Sequence, residues 1–97
     1  MALHTLNQAP GNTTCLERCL QALAPNDALL LIEDGVYATL PAHAAKFASL
    51  YQIDCYVLQP DLQARGIEDS VSAPFNIIDD AGFVELACEQ DKVISWF

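Results

Sequence analysis

An unbroken apolar run at residues 28–32 constrains the fold of this chain more than any other feature of its sequence. The run does not alternate apolar with polar positions, which is typical of a strand whose two faces are both covered. The turn-forming residues Glu33, Asp34 and Gly35 follow it directly. The run therefore predicts a central strand of a parallel sheet that carries helices on both faces.

Further strand patterns lie on either side of this run. Each is a short apolar segment bounded by turn-forming residues, as expected of strands. The C-terminal residues have an alternating apolar pattern, which fits either a last strand or a docking tail. The predicted strands cover residues 2–6, 53–58 and 75–78, and the strand or tail covers residues 93–97.

Helical patterns separate the strands. Thr14 and Glu17 have the spacing of a capping box, so the first helix is predicted to begin near Cys15 and to end at the turn formers of residues 25–27. Asp80 is predicted to cap the last helix. Between them, an amphipathic helix and a short helical turn are predicted at residues 41–51 and 61–66.

The alternation of strands and helices predicts an α/β fold. We expect a single three-layer domain over residues 1–97, in which a mostly parallel central sheet is flanked by helices. The order of the strands in the sheet does not follow from the sequence.

The charge and composition favour a protein partner over a nucleic acid. The formal net charge of -9 repels phosphate backbones, so direct binding of RNA or DNA is not expected. The hydrophobic fraction of 53% is high for one small core, which indicates a subunit of a larger assembly. There is no basic leader-like start and no apolar run near the ~18 residues of a membrane span, so we expect a cytoplasmic protein with reduced thiols.

Several polar residues follow the predicted strands, where parallel sheets place their ligands. Carboxylates there could hold Mg²⁺ or a nucleotide, and Asp34, Asp61 and Asp80 are the candidates. The favoured interpretation is that they cap helices and form turns, and neither a metal site nor a cofactor is predicted. The residues at these strand ends are Asn7, Glu33, Asp34, Pro60, Asp61, Asp79 and Asp80.

The four cysteines give the candidates for sulfur chemistry. Cys15 lies in the first turn of the predicted helix, where a thiolate is stabilised. Cys19 lies one turn further along the same face, and from the residues alone we favour burial as a small apolar side chain. Cys55 and Cys88 are predicted to be core residues.

Three other side chains have no assigned chemistry. His4, within the first strand, is interpreted as a hydrogen-bonded structural residue. Trp96 and Phe97 end the chain with two large rings, which fit either the core of this domain or an interface with another subunit.

Read together, several segments resemble the DsrH/TusB family over the whole length of the chain. The leucine-rich strand that ends in Glu-Asp-Gly and the Asp-Leu-x-Ala-Arg-Gly segment are specific in combination. The segments are LHTLN at 3–7 with Pro10, LLLIEDGVYA at 29–38, YVL at 56–58 with DLQARG at 61–66, Phe83 with Val84, and Trp96.

This resemblance implies a DsrE-like fold and a place in a sulfur-relay complex. Such complexes are dimers of heterotrimers, in which the companions would be TusC/DsrF-like and TusD/DsrE-like subunits. The complex would take persulfide sulfur from a TusA-like donor and pass it to a TusE/DsrC-like acceptor for 2-thiolation of the tRNA wobble uridine. The main sulfur-carrying cysteine would belong to the TusD/DsrE-like subunit, so the role implied for this chain is mainly structural.

The resemblance also singles out Cys19. DsrH members of sulfur-oxidising bacteria carry a cysteine in the first helix, and Cys19 matches it by its spacing from residues 3–5 and from residues 33–35. The alternative function is therefore a sulfurtransferase subunit in dissimilatory sulfur oxidation, with Cys19 carrying the persulfide.

Overall fold

The computed structural model describes residues 1–48, 50, 52–72 and 74–97. Five strands form one sheet in the order β4-β3-β2-β1-β5, and every adjacent pair is parallel. The predicted strands agree with the observed ones to within one residue at each end, and the C-terminal residues form a strand. The strands are β1 (Ala2–Leu6), β2 (Ala28–Leu31), β3 (Asp54–Leu58), β4 (Asn76–Ile78) and β5 (Lys92–Trp96).

Helical segments cover both faces of the sheet, which confirms the predicted α/β fold. Three segments are α-helical and three are 3₁₀-helical in the described part of the chain. The α-helices are α1 (Thr13–Ala22), α2 (Gln59–Ala64) and α3 (Asp80–Glu89), and the 3₁₀ segments are Glu33–Thr39, Pro41–Phe47 and Glu68–Ser70.

The start of α1 differs from the prediction. The helix begins at Thr13, and its cap is the side chain of Asn12, which accepts a hydrogen bond from the backbone N–H of Cys15 at 3.3 Å. Asparagine caps helices at least as well as threonine does. The Asn12 N–H donates to the Ala9 carbonyl in the turn before the helix, so Asn12 is the residue at which that turn ends. Thr14 is therefore an ordinary residue of the first turn.

The predicted helix at residues 41–51 is a 3₁₀ segment over Pro41–Phe47, and Tyr51 lies outside the described residues. A second 3₁₀ segment, Glu33–Thr39, precedes it and was not predicted. Leu40 is extended between the two segments, so they cannot merge into one longer helix. Short 3₁₀ turns of this kind give no 3.6-residue pattern from which to predict them.

The short helix α2 begins two residues earlier than predicted because it starts directly at the end of β3. Pro60, which has no backbone N–H, lies in the first turn of α2. The N–H groups of a first turn have no partner within the helix, so proline is tolerated there. Gly66, with a φ of +67°, lies just beyond the end of the helix. The left-handed conformation after the last turn is the reason glycine suits this position.

Strand β2 lies in the centre of the sheet, as its apolar run predicted. All four of its residues are buried, and they alternate between two apolar clusters. On one face, Leu29 and Leu31 pack in a cluster with Leu16 of α1 and Phe47. On the other face, Ala28 and Leu30 pack with residues such as Leu86 of α3. Thus α1 and α3 cover opposite faces, and the sheet is the middle of three layers.

Several large apolar side chains stay at the surface. Val93 on β5 is 48% exposed and Ile77 on β4 is 43% exposed, and these are the two edge strands of the sheet. Val84 on α3 and the terminal Phe97 are exposed as well. Within the described ranges, no helix is long and apolar enough to cross a membrane.

Candidate functional site

The two cysteines of α1 differ in their access to solvent. Cys15, in the first turn, is partly exposed, whereas Cys19 is fully buried in the apolar cluster between α1 and the sheet. Burial, with a smaller contribution from the neighbouring Cys15, raises the pKa of the Cys19 thiol to about 12. A thiol with such a pKa is protonated at neutral pH, so Cys19 in this arrangement is not a nucleophile.

A cavity of about 220 Å³ opens beside Cys15. It lies between the first turns of α1 and the C-terminal end of β5, and it combines a thiol, a guanidinium group and two aromatic rings. Its lining residues are Asn12, Thr14, Cys15, Arg18, Trp96 and Phe97. The structure therefore brings Cys15 together with the terminal aromatic residues, which the sequence did not predict.

A buried hydrogen-bonded chain links the first strand to the last. The Trp96 Nε1–H donates to His4 Nδ1 at 3.0 Å, and His4 Nε2 lies 3.0 Å from Asp27 Oδ2. Because the indole nitrogen can only donate, His4 Nδ1 must accept, and the imidazole proton lies on Nε2 and is donated to Asp27. His4 is thus a structural histidine, as predicted, with one defined tautomer.

Asp27 anchors this series of hydrogen bonds. The sequence predicted Asp27 only as a turn-forming residue. One carboxylate oxygen accepts from the backbone N–H of Ala2 at 2.9 Å, and the other accepts from that of Ala24 at 3.0 Å. Burial raises the pKa of Asp27, but the hydrogen bonds from Ala24, Ala2 and His4 outweigh it and hold the pKa below its ordinary value. Asp27 is therefore a buried carboxylate that stays ionised.

The other two thiols have contrasting positions. Cys55 on β3 is buried, as predicted, and burial with a smaller contribution from Asp54 raises its pKa to about 11. Cys88 is exposed, so the prediction that it belongs to the core was wrong. It follows the inward-facing Leu86 by two residues, a rotation of about 200° that places it on the outer side of α3.

The polar residues at the carboxyl ends of the strands mainly form hydrogen bonds and an ion pair within the domain. Asp61 accepts from the backbone N–H of Glu33 at 2.7 Å, and Asp34 pairs with Arg65 at 2.9 and 3.1 Å. The cap of α3 is Asp79, which accepts from the Gly82 N–H at 2.8 Å. The assignment of the cap to Asp80 was wrong by one residue, and Asp80 is the first residue of the helix.

These contacts leave the carboxylates facing backbone and guanidinium donors. Among the residues that the structure describes, no three His, Cys, Asp or Glu side chains are grouped closely enough to hold a metal ion. Asn7, also at this edge, has a buried amide oxygen with no partner in the described structure, while its backbone N–H donates to the Trp96 carbonyl.

Comparisons with known proteins identify consistent relatives. A family model described as "DsrH like protein" matches residues 8–93. Proteins named Protein TusB are similar over 97% of this chain and 99% of their own length, with 34% identity in Pectobacterium parmentieri, 36% in Erwinia tasmaniensis and 38% in Serratia proteamaculans.

The fold is also found among solved structures. An example is the solution NMR structure of a protein from Thermotoga maritima, with a TM-score of 0.68 and 20% sequence identity, covering 94% of this chain and 95% of the other.

Proposed function

The chain belongs to the DsrH family, and we propose that it is a docking subunit of a cytoplasmic sulfur-relay complex serving 2-thiolation of the tRNA wobble uridine. The observation that carries the proposal is the match of family and relatives over almost the whole chain. In this proposal the companion subunits are TusC/DsrF-like and TusD/DsrE-like chains, and the sulfur passes from a TusA-like donor to a TusE/DsrC-like acceptor.

The burial of Cys19 supports a structural role over a catalytic one. The main sulfur-carrying cysteine is expected on a companion subunit, and Cys19, which the family resemblance singles out, is buried with a raised pKa. Sulfur transfer requires a thiolate that can reach a persulfide sulfur. In the isolated fold, Cys19 meets neither requirement.

The surface supports a docking role. Strands β4 and β5 are the edges of the sheet, and each carries an exposed apolar residue, Ile77 and Val93. Exposed strand edges and apolar side chains are surfaces that proteins cover in assemblies. A chain with both is suited to holding two neighbours in a hetero-oligomer.

We expect the chain to self-associate when expressed alone and to form a discrete complex with its two companion subunits. Val93→Asp and Ile77→Asp each add a carboxylate to one apolar edge, and at least one of them should weaken assembly about tenfold, because burying an unpaired charge is costly. Native mass spectrometry and gel filtration of the mixed subunits measure this.

The matched control is Gln21→Glu, which adds the same charge at an exposed polar position of α1. It should assemble like the wild type. A wild-type chain that stays monomeric at high concentration and binds neither companion subunit would contradict the docking role.

A second candidate function is a sulfurtransferase subunit in dissimilatory sulfur oxidation, in which Cys19 carries a persulfide. The observation that favours this candidate is that Cys19 lies one turn along the same face of α1 from Cys15, which lines the cavity. It requires a change that exposes Cys19.

A further inference from the structure

A groove runs between helix α1 and strand β5 on one face of the sheet. Two cavities lie along it, of about 220 Å³ and about 280 Å³, and both elements line each of them. Arg18 of α1 and Trp96 of β5 line the first cavity. Ala22, one turn further along α1, and Ile94, two residues back along β5, line the second. The two cavities are therefore consecutive parts of one groove.

The wall that β5 forms is firmly held. Strand β5 pairs with β1 along all five of its residues, and the Asn7 N–H donates to the Trp96 carbonyl at 3.3 Å. The Trp96 indole is fixed in turn by its hydrogen bond to His4 at 3.0 Å. Strand β5 is the last strand at this edge of the sheet in the described part of the chain. The groove is thus a preformed surface that is open on its outer side.

The charged side chains of the groove are mainly basic, although the chain as a whole has a net charge of -9. Two of the four basic side chains of the chain, Arg18 and Lys92, line the two cavities. Among the residues that the structure describes, neither is in an ion pair. The one side-chain carboxylate among the described lining residues is that of Asp27, which is buried and already accepts hydrogen bonds within the domain. Asp91, next to Lys92, pairs with the Met1 ammonium group at 2.8 Å. Arg18 and Lys92 are therefore available to an acidic partner.

We propose that this groove is the docking site for an acidic segment of a different protein in the assembly. Carboxylates of that segment pair with Arg18 at one end and Lys92 at the other, and its apolar side chains pack on Ile94 and Trp96 between them. A second copy of this chain fits less well, because a symmetric dimer places the same patch on both sides and brings like charges together. The proposal deepens the docking role proposed above, on which it rests, by giving the chemistry of the partner.

Isothermal titration calorimetry with the purified full chain tests the groove. The probes are the purified TusC/DsrF-like, TusD/DsrE-like, TusA-like and TusE/DsrC-like proteins of the same organism. At least one should bind the wild type, and Arg18→Glu and Lys92→Glu should each raise its Kd about tenfold, because each brings a carboxylate against an acidic segment. Added salt should weaken the wild-type complex for the same electrostatic reason.

Lys46→Glu is the matched control, because it makes the same charge change at an exposed position that lines neither cavity. It should bind with the affinity of the wild type. Ala22→Trp tests the groove without a change of charge, since Ala22 is exposed and a large ring at this position would fill part of the second cavity. It should weaken the same complex by a steric clash.

The outcomes separate the groove from the docking role as a whole. If a probe bound the wild type and both charge reversals equally well, the groove proposal would be wrong and the docking role would stand. An equal loss of affinity in Lys46→Glu would indicate an effect of net charge alone and would also overturn the groove. If the reversals changed only the self-association of this chain, the occupant would be a second copy and the proposal would fail. A wild type that bound none of the four proteins would overturn both.

Discussion

Replacing Gly35 with alanine should lower the free energy of unfolding by about 3 kcal/mol, the upper part of the range for forcing extra atoms into a packed site. A Cβ atom on Gly35 would lie 2.2 Å from the Leu6 carbonyl oxygen and 3.0 Å from its carbon. The same oxygen accepts the hydrogen bond from the Ile32 N–H, so it cannot shift without disturbing the junction of β1 and β2. Glycine is required here by the close approach of two backbones.

Urea unfolding followed by circular dichroism measures this effect. Gly11→Ala is the control, because a Cβ there would meet nothing within 4 Å. It should change stability little by comparison. A Gly35→Ala chain as stable as Gly11→Ala would contradict the requirement for glycine at position 35.

Replacing Asp27 with asparagine should cost about 2–4 kcal/mol at neutral pH, as expected when a buried, charge-assisted network loses its acceptor. Both carboxylate oxygens accept hydrogen bonds, from the Ala2 N–H on one side and from Ala24 and His4 on the other. Asparagine offers one oxygen and one NH₂ group. In either orientation, the NH₂ group faces at least one buried donor.

The loss of stability caused by Asp27→Asn should also depend on pH, in the direction that follows from the lowered pKa of Asp27. The pKa of Asp27 is lowered in the folded state, so its contribution is fully present above the unfolded-state pKa of about 3.9 and is lost as the pH falls through the folded-state pKa. Urea unfolding from about pH 7 to about pH 3 should therefore show the wild type losing its advantage over Asp27→Asn below about pH 4.

Asp69→Asn, at an exposed position, is the control for the loss of one negative charge. It should leave the stability near that of the wild type throughout this range. If Asp27→Asn were equally mild at neutral pH, the carboxylate would not be the anchor of His4.

The parts of the fold that were predictable are those with a strong local pattern. The apolar run of β2 identified the central strand because a strand covered on both faces has no polar positions. The 3₁₀ segment at Glu33–Thr39 was missed because its residues have no helical period. The cap of α1 was misplaced because Asn12 and Thr14 are both good caps, and sequence alone does not decide between them.

The candidate site was less predictable because it depends on strand order. His4, Asp27 and Trp96 meet only because β1 lies between β2 and β5, and His4 and Trp96 are 92 positions apart in the chain. The sequence predicted the burial of Cys19, but it gave no sign that the indole of Trp96 packs against the same apolar cluster. Contacts of this kind follow from the topology, which no local pattern encodes.

The most direct test of the proposed function is the 2-thiouridine content of bulk tRNA, measured by nucleoside mass spectrometry in the organism that encodes this chain. Deleting the gene should reduce 2-thiouridine to a small fraction, and both the wild type and Cys19→Ser should restore it if the chain is a docking subunit. Restoration by the wild type alone would contradict the docking role and make Cys19 a working sulfur carrier. Unchanged 2-thiouridine after deletion would contradict the assignment to tRNA thiolation.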